Sequence, residues 1–198
     1  FGTVEDVTTP AMFDKALRTM DNNLSCGCRF TRFSIFQAPH IAAAQKFADE
    51  AAKRGANLVM QLHAGTLPDN VPHALETFQK IGRKNIGLAF DPNHLVFDGD
   101  LEYAAAVRKL AKLIVSVSLQ NFKLGPAGVP VAERISVKGR DFVRALPGDP
   151  AAIDFAAVFR ELTAIGLDGF ATIMCDAYPG MDSRELARRY HAHLSKQL

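Results

Sequence analysis

The pattern of apolar and polar positions switches between two periods along the chain. Residues 1–9 read as an extended lead-in. Thr9 followed by Pro10 is a helix-start signal, and Ala11, Phe13, Ala16, Leu17 and Met20 then recur at helical spacing as far as Asp21-Asn22-Asn23. Residues 29–36 alternate polar and aromatic side chains as a strand does, with Phe30, Phe33 and Phe36 prominent. Residues 39–54 return to the helical period and stop at Gly55. Residues 57–62 form the next strand, with His63-Ala64-Gly65-Thr66 as a loop. Residues 71–81 form a helix ended by Gly82. Residues 86–90 are unbroken apolar, a buried strand, and Asp91-Pro92-Asn93-His94 ends it with turn chemistry.

A helix follows over 101–112, capped by Asp98 or Asp100, and then a strand rich in β-branched residues over 113–119. Residues 123–150 make a long connection punctuated by Gly125-Pro126, Gly128-Val129-Pro130 and Pro147-Gly148-Asp149-Pro150, with 135–137 and 142–146 as hairpin arms. A connection of this length is often functional. The chain closes with a helix over 153–165 ended by Gly166, a strand over 170–174, and a helix over 183–198 capped by Asp182 or Ser183. Strand and helix thus alternate from about residue 29 onward, which predicts right-handed βαβ units on a parallel sheet of five strands, with a sixth at the N-terminal side.

Composition narrows the function. A chain of 198 residues suits one domain better than two. A net charge of +2, with both signs interspersed, gives no field for nucleic acid or membrane, and no apolar run approaches the ~20 residues of a span. Neither a G-x-G-x-x-G nor a Walker A sequence occurs, so no nucleotide cofactor is expected. Cys26-Gly27-Cys28 is too tight for usual zinc spacing and reads as small residues at a strand entry. Three cysteines make no disulfide framework. No secretory-signal pattern shows at the start, and a reducing, cytoplasmic compartment is favoured.

Asp91 and His94 sit just past a strand's C-terminal end, where parallel α/β proteins build their sites. Five ordered segments then carry a resemblance: Leu58-Val59-Met60-Gln61-Leu62-His63; Gly87 through Asp91-Pro92-Asn93-His94; Val117-Ser118-Leu119-Gln120-Asn121; Pro147-Gly148-Asp149 through Ile153-Asp154-Phe155; and Gly166 through Ile173. In this order they resemble the xylose isomerase-like TIM-barrel family of sugar phosphate isomerases and epimerases, over residues 29–198. The resemblance implies a (β/α)8 barrel. With five or six β/α units recognisable, one incomplete TIM-barrel-like domain over 1–198 is expected, lacking about two N-terminal units.

The resemblance also implies one divalent metal (Mn, Mg, Co or Zn) held by Glu, Asp, His and Glu from four strand ends. In this sequence those positions are Gln61, Asp91, Ser118 and Met174, so three of four ligands are replaced and both acid/base carboxylates are gone. A rebuilt metal site would draw on Asp91, His94 and His63, aided by Cys175 or Asp176. A catalytic residue is not assigned. Gln61, Ser118, Gln120, Lys123, Arg144 and Asp176 are candidate substrate contacts, Lys123 and Arg144 for a phosphate or carboxylate. His40, His191 and His193 are expected at the surface, and Tyr178-Pro179-Gly180 as a connecting turn.

Two functions follow from this. One is a sugar or sugar phosphate isomerase/epimerase relative whose metal site is altered or lost. The other is a non-catalytic barrel domain for sugar binding or assembly. The expected partners are a small sugar or sugar phosphate and a homo-oligomer or second chain that completes the barrel.

Overall fold

The structure is a computed structural model that describes residues 3–4, 7–174 and 178–197. The chain divides into two compact units, residues 1–89 with 113–115, and residues 90–112 with 116–198.

The first unit alternates strand and helix: β1 Thr3–Val4, α1 Pro10–Ser25, β2 Phe30–Phe33, α2 Ile41–Lys53, β3 Asn57–Gln61, α3 Val71–Ile81 and β4 Ile86–Phe90. β1 pairs with β2, β2 with β3 and β3 with β4, all parallel, as the βαβ rhythm requires. The chain re-enters this unit at 113–115, leading into β5 Ile114–Leu119, where the Leu88 amide donates to the Leu113 carbonyl. α3 shows why its bounds were readable. Asn70 caps its first turn by accepting from the His73 amide, Pro72 sits in that turn where its missing N–H costs nothing, and Gly82 ends it at φ +60°.

The alternation on β2 is real but differs from the aromatic spacing. Thr31, Phe33 and Ile35 are buried and Phe36 is 48% exposed. Phe30, Phe33 and Phe36 stand three apart, and a period of two cannot place three such residues on one face. Phe33 packs edge-on against Phe47 of α2, with ring centres 5.5 Å apart. α1 runs past Asp21-Asn22-Asn23 to Ser25 because Asn23 is no turn residue here. Its side chain is buried and donates to the Thr31 hydroxyl. Cys26 is exposed on the turn that follows, rather than buried at a strand entry.

The second unit contains α4 Pro92–Asp98, α5 Tyr103–Leu110, the later part of β5, β6 Phe122–Leu124, β7 Arg134–Val137, β8 Arg140–Arg144, α6 Phe155–Ala164, β9 Ala171–Ile173 and α7 Ser183–Leu194. β5 pairs parallel with β9. Within the long connection, β6, β8 and β7 form a small antiparallel sheet in that order, so the two hairpin arms gain a third strand from β6. Phe97 is the hub of this unit's core, with edge-on contacts to Phe122, Phe142 and His94 at 5.6, 4.9 and 5.3 Å.

The stretch after β4 is helix, not turn. Asp91 caps α4, Pro92 is in its first turn and Gly99 ends it left-handed. Asp-Pro-Asn serves a β-turn and a helix start equally well. Burial of Leu95, Val96 and Phe97 decides for helix.

Tyr103 yields a pH prediction. Burial, then the charges of Asp100 and Asp154, push its phenol up to about 12 from an ordinary 10.0. Between those values the unfolded chain releases the proton and the folded chain keeps it. Stability present below pH 10 is therefore lost as pH rises toward 12, by about 2 kcal/mol. In urea titrations at pH 9 and 11.5, Tyr103→Phe should remove most of that extra loss. An unchanged pH slope would contradict the assignment.

Candidate functional site

The site candidates divide between the two units, and each group is built locally. In the second unit, Asp91 ends the fully buried strand β4 and is itself 0% exposed. A buried carboxylate is costly unless its oxygens are hydrogen-bonded. Here Oδ1 accepts from the Asn93 amide at 3.1 Å and Oδ2 accepts from Gln120 Nε2 at 3.2 Å. His94, one helical turn along, is also buried, and its Nε2 stands 3.6 Å from Asp91 Oδ2. Gln120 reaches Asp91 because it directly follows β5. The same register places Ser118, half-buried, opposite Thr172 of β9, and Met174, half-buried, one residue beyond β9 with its amide donating to the Leu119 carbonyl.

The two proposed anion contacts have other engagements. Lys123 Nζ is 2.6 Å from Asp149, and this contact holds the Asp149 carboxyl below the usual carboxylate range. The Arg144 guanidinium lies over the Phe122 ring, 4.8 Å from its centre. It lines a cavity of about 450 Å³ with Glu133, Arg134, Tyr178 and Pro179, so the Tyr178-Pro179 turn forms part of a wall. Asp176 and Cys175 lie outside the described residues.

In the first unit, Gln61 ends β3 with its side chain buried. His63 is half-buried, with Nδ1 2.8 Å from the Ala64 carbonyl oxygen. Burial pushes its imidazole pKa down, the Ala64 carbonyl pushes back, and the charge of Arg32 adds to the depression. His40 is half-buried, and its Nδ1 is shut off from solvent without a hydrogen-bond partner, so it is not the surface residue its helix-start position suggested. His193 is likewise half-buried, with its ring packed on the Gly148 backbone, whereas His191 is exposed.

Two further polar groups are placed by the fold rather than by the strand-end pattern. Asn121 is buried and ties the connection down: Nδ2 donates to the Leu146 carbonyl, and Oδ1 accepts from the Ile153 amide. Its signal was an amide directly after a β-branched strand. Arg32 sits inside an aromatic strand, between the buried Thr31 and Phe33.

The donors do not fit the four-ligand metal set. Among the described residues, no three His, Cys, Asp or Glu side chains are gathered to hold a metal ion. Gln61, Ser118 and Met174 offer a neutral carbonyl, a hydroxyl and a thioether, poor donors for a hard divalent ion.

A six-strand parallel α/β pattern with polar groups at strand ends is the pattern of a TIM-barrel protein, with fewer strands among the described residues than the eight of a closed barrel. Residues 40–197 match the Xylose isomerase-like TIM barrel family, and the chain belongs to that family. An inosose dehydratase from Geobacillus thermodenitrificans (strain NG80-2) is 29% identical over 140 residues, 69% of this chain and 46% of that protein. The chain therefore spans about half the length of the curated relative it matches. An L-ribulose 3-epimerase structure superposes with a TM-score of 0.71 at 19% identity, covering 98% of this chain and 71% of that one. A Xylose isomerase-like TIM barrel protein from Mycobacterium smegmatis in complex with magnesium gives 0.70 at 12% identity, covering 94% and 67%. No helix of the described residues is long and apolar enough to cross a membrane.

Proposed function

We propose that this chain is a sugar-binding member of the isomerase, epimerase and dehydratase group, with the family's metal centre altered. The observation that carries this is Asp91: a fully buried carboxylate at a strand end, held by a backbone amide and the Gln120 amide. Sugar hydroxyls donate well to such an acceptor, and an amide such as Gln120 both donates and accepts. Ser118 adds a hydroxyl on β5. The relatives' names, a dehydratase and a 3-epimerase, supply polyols and ketoses as the ligand class. Asp91 and His94 are the residues from which a weaker metal site would be drawn.

A second reading keeps catalysis without metal. The Asp91–His94 pair, 3.6 Å apart and buried, is a carboxylate–imidazole couple able to hold a proton. Both readings meet one experiment. D-fructose and D-psicose are titrated calorimetrically with EDTA or with Mn2+, and solvent deuterium entering the carbon next to the carbonyl is followed by NMR. We expect ketose binding that is indifferent to EDTA, without exchange. Metal-independent exchange would favour the second reading. Exchange that needs Mn2+ would overturn the altered-site reading.

A further inference from the structure

We propose that the cavity between the start of α5 and the start of α6 binds an organic cation, a primary ammonium group carried on a short aliphatic stem. It shares no lining residue with the Asp91 group and does not rest on the sugar-binding reading above.

The cavity encloses about 400 Å³, a small-molecule volume, and lies wholly within the second unit. Its walls come from Val96 of α4, residues 101–104 and residues 150–157. The lining is mostly aliphatic: Leu101, Ala104, Pro150, Ala152 and Ala157. Leu101 is 61% exposed, a large apolar side chain that the core leaves unused. The polar lining is Glu102, Tyr103 and Asp154, with no basic side chain among them.

Tyr103 points to a ligand. The residue is only 7% exposed, and a buried phenol ordinarily finds a hydrogen-bond partner. This hydroxyl has none among the described residues, yet it is not sealed from solvent, so it opens into the cavity that Tyr103 lines. The carboxylates beside it have capacity to spare. Asp100 Oδ1 accepts from the Glu102 amide and Asp154 Oδ1 from the Ala157 amide, which leaves a second oxygen on each. The Glu102 side chain makes no cap bond and has no basic partner among the described residues.

Further along the same two helices the charges cancel, because Arg108 of α5 pairs with Glu161 of α6 at 2.6 Å. The β7–β8 hairpin brings two cations to the end of α4, but Lys138 is taken by Asp98 and Arg140 lies over the Phe142 ring. The N-termini of α5 and α6 carry roughly half a positive charge each, and so offset about one of the three carboxylates. The balance stays negative, which favours a cation over an anion. An ammonium group donates to carboxylates and to a phenol oxygen alike, and its alkyl stem suits the aliphatic lining.

Such a group belongs either to a free diamine or to a lysine side chain of a peptide, and the test separates them. The whole chain, labelled with 15N, is titrated with cadaverine, with the capped peptide Ac-Ala-Lys-Ala-NH2 and with neutral 1-pentanol. Affinities are read from the amide signals of Ala104 and Ala157. At least one amine should bind about tenfold or more tightly than 1-pentanol. The double variant Glu102→Gln, Asp154→Asn should erase that preference, and asparagine still caps α6. Tyr103→Phe, which keeps the ring and every carboxylate, should weaken the amine about threefold and leave 1-pentanol unchanged. Thermal unfolding without ligand checks that each variant folds. Tighter binding of cadaverine identifies a free diamine as the ligand, and tighter binding of the peptide identifies a lysine-bearing partner. Equal affinity for amines and alcohol in wild type, a preference that survives the double variant, or binding that leaves Ala104 and Ala157 unshifted overturns the site.

Discussion

Gly87→Ala should destabilise the protein by about 3 kcal/mol, because it overpacks a close contact between two buried strands. A Cβ at 87 would stand 2.4 and 2.5 Å from the two Cγ atoms of Val115 and 3.0 Å from its Cβ. Rotating Val115 about χ1 cannot clear both methyls, and a β-branched side chain has few rotamers to offer. Relief requires moving β4 away from β5, and with it the Leu88 amide that donates to Leu113. For a chain of this length the melting temperature should fall by roughly 6–12 °C. Val115→Ala alone should cost about 1 kcal/mol, and the double variant should recover most of the Gly87→Ala loss, a coupling measurable in a double-mutant cycle. An alanine variant as stable as wild type would refute the close packing.

The elements that were legible in the sequence are those where local chemistry and tertiary packing agree. α3 and β4 fall on the predicted residues, because Asn70, Pro72 and Gly82 mark the helix at both ends and an unbroken apolar run marks a strand buried on both faces. The hairpin in the long connection was readable from its punctuation, while β6, only three residues long, carried no period of its own. Where one local pattern serves two structures, packing decides. Asp-Pro-Asn became a helix start because Leu95, Val96 and Phe97 had a core to enter, and the expected helix over 101–112 shrank to Tyr103–Leu110 because Asp100 spends its side chain on the Glu102 amide ahead of it.

The site follows the same logic. Asp91 was visible as an acid after a strand, but its engagement by Gln120 depends on an approach between segments 29 residues apart. Lys123 looked like a ligand cation, and Asp149, 26 residues on, claims it. Arg32 was hidden for the opposite reason. Its neighbours are aromatic, so the strand read as core on both faces, and only register shows which face it occupies.

The second large effect concerns Asp91, where stability and binding should separate. Asp91→Ala removes the cap of α4 and the acceptor of Gln120, leaving the buried Asn93 amide and the half-buried Gln120 amide unmet. The cap is worth about 1 kcal/mol and a stranded donor about 1–3, so a loss of roughly 2–4 kcal/mol is expected. Asp91→Asn keeps an oxygen for the Asn93 amide. The new NH2 would meet Gln120 Nε2 donor to donor, but Gln120 can turn its amide and present its oxygen instead. Its stability cost should therefore stay within about 1 kcal/mol. Ketose affinity should behave differently, since a neutral amide accepts a sugar hydroxyl far less strongly than a carboxylate does. Asp91→Asn should weaken D-fructose binding about tenfold while unfolding near the wild-type temperature. Thermal unfolding and calorimetric titration on the same samples check both halves. If the carboxylate served only as a helix cap, Asp91→Asn would bind as wild type does, and Asp91 would drop out of the ligand site.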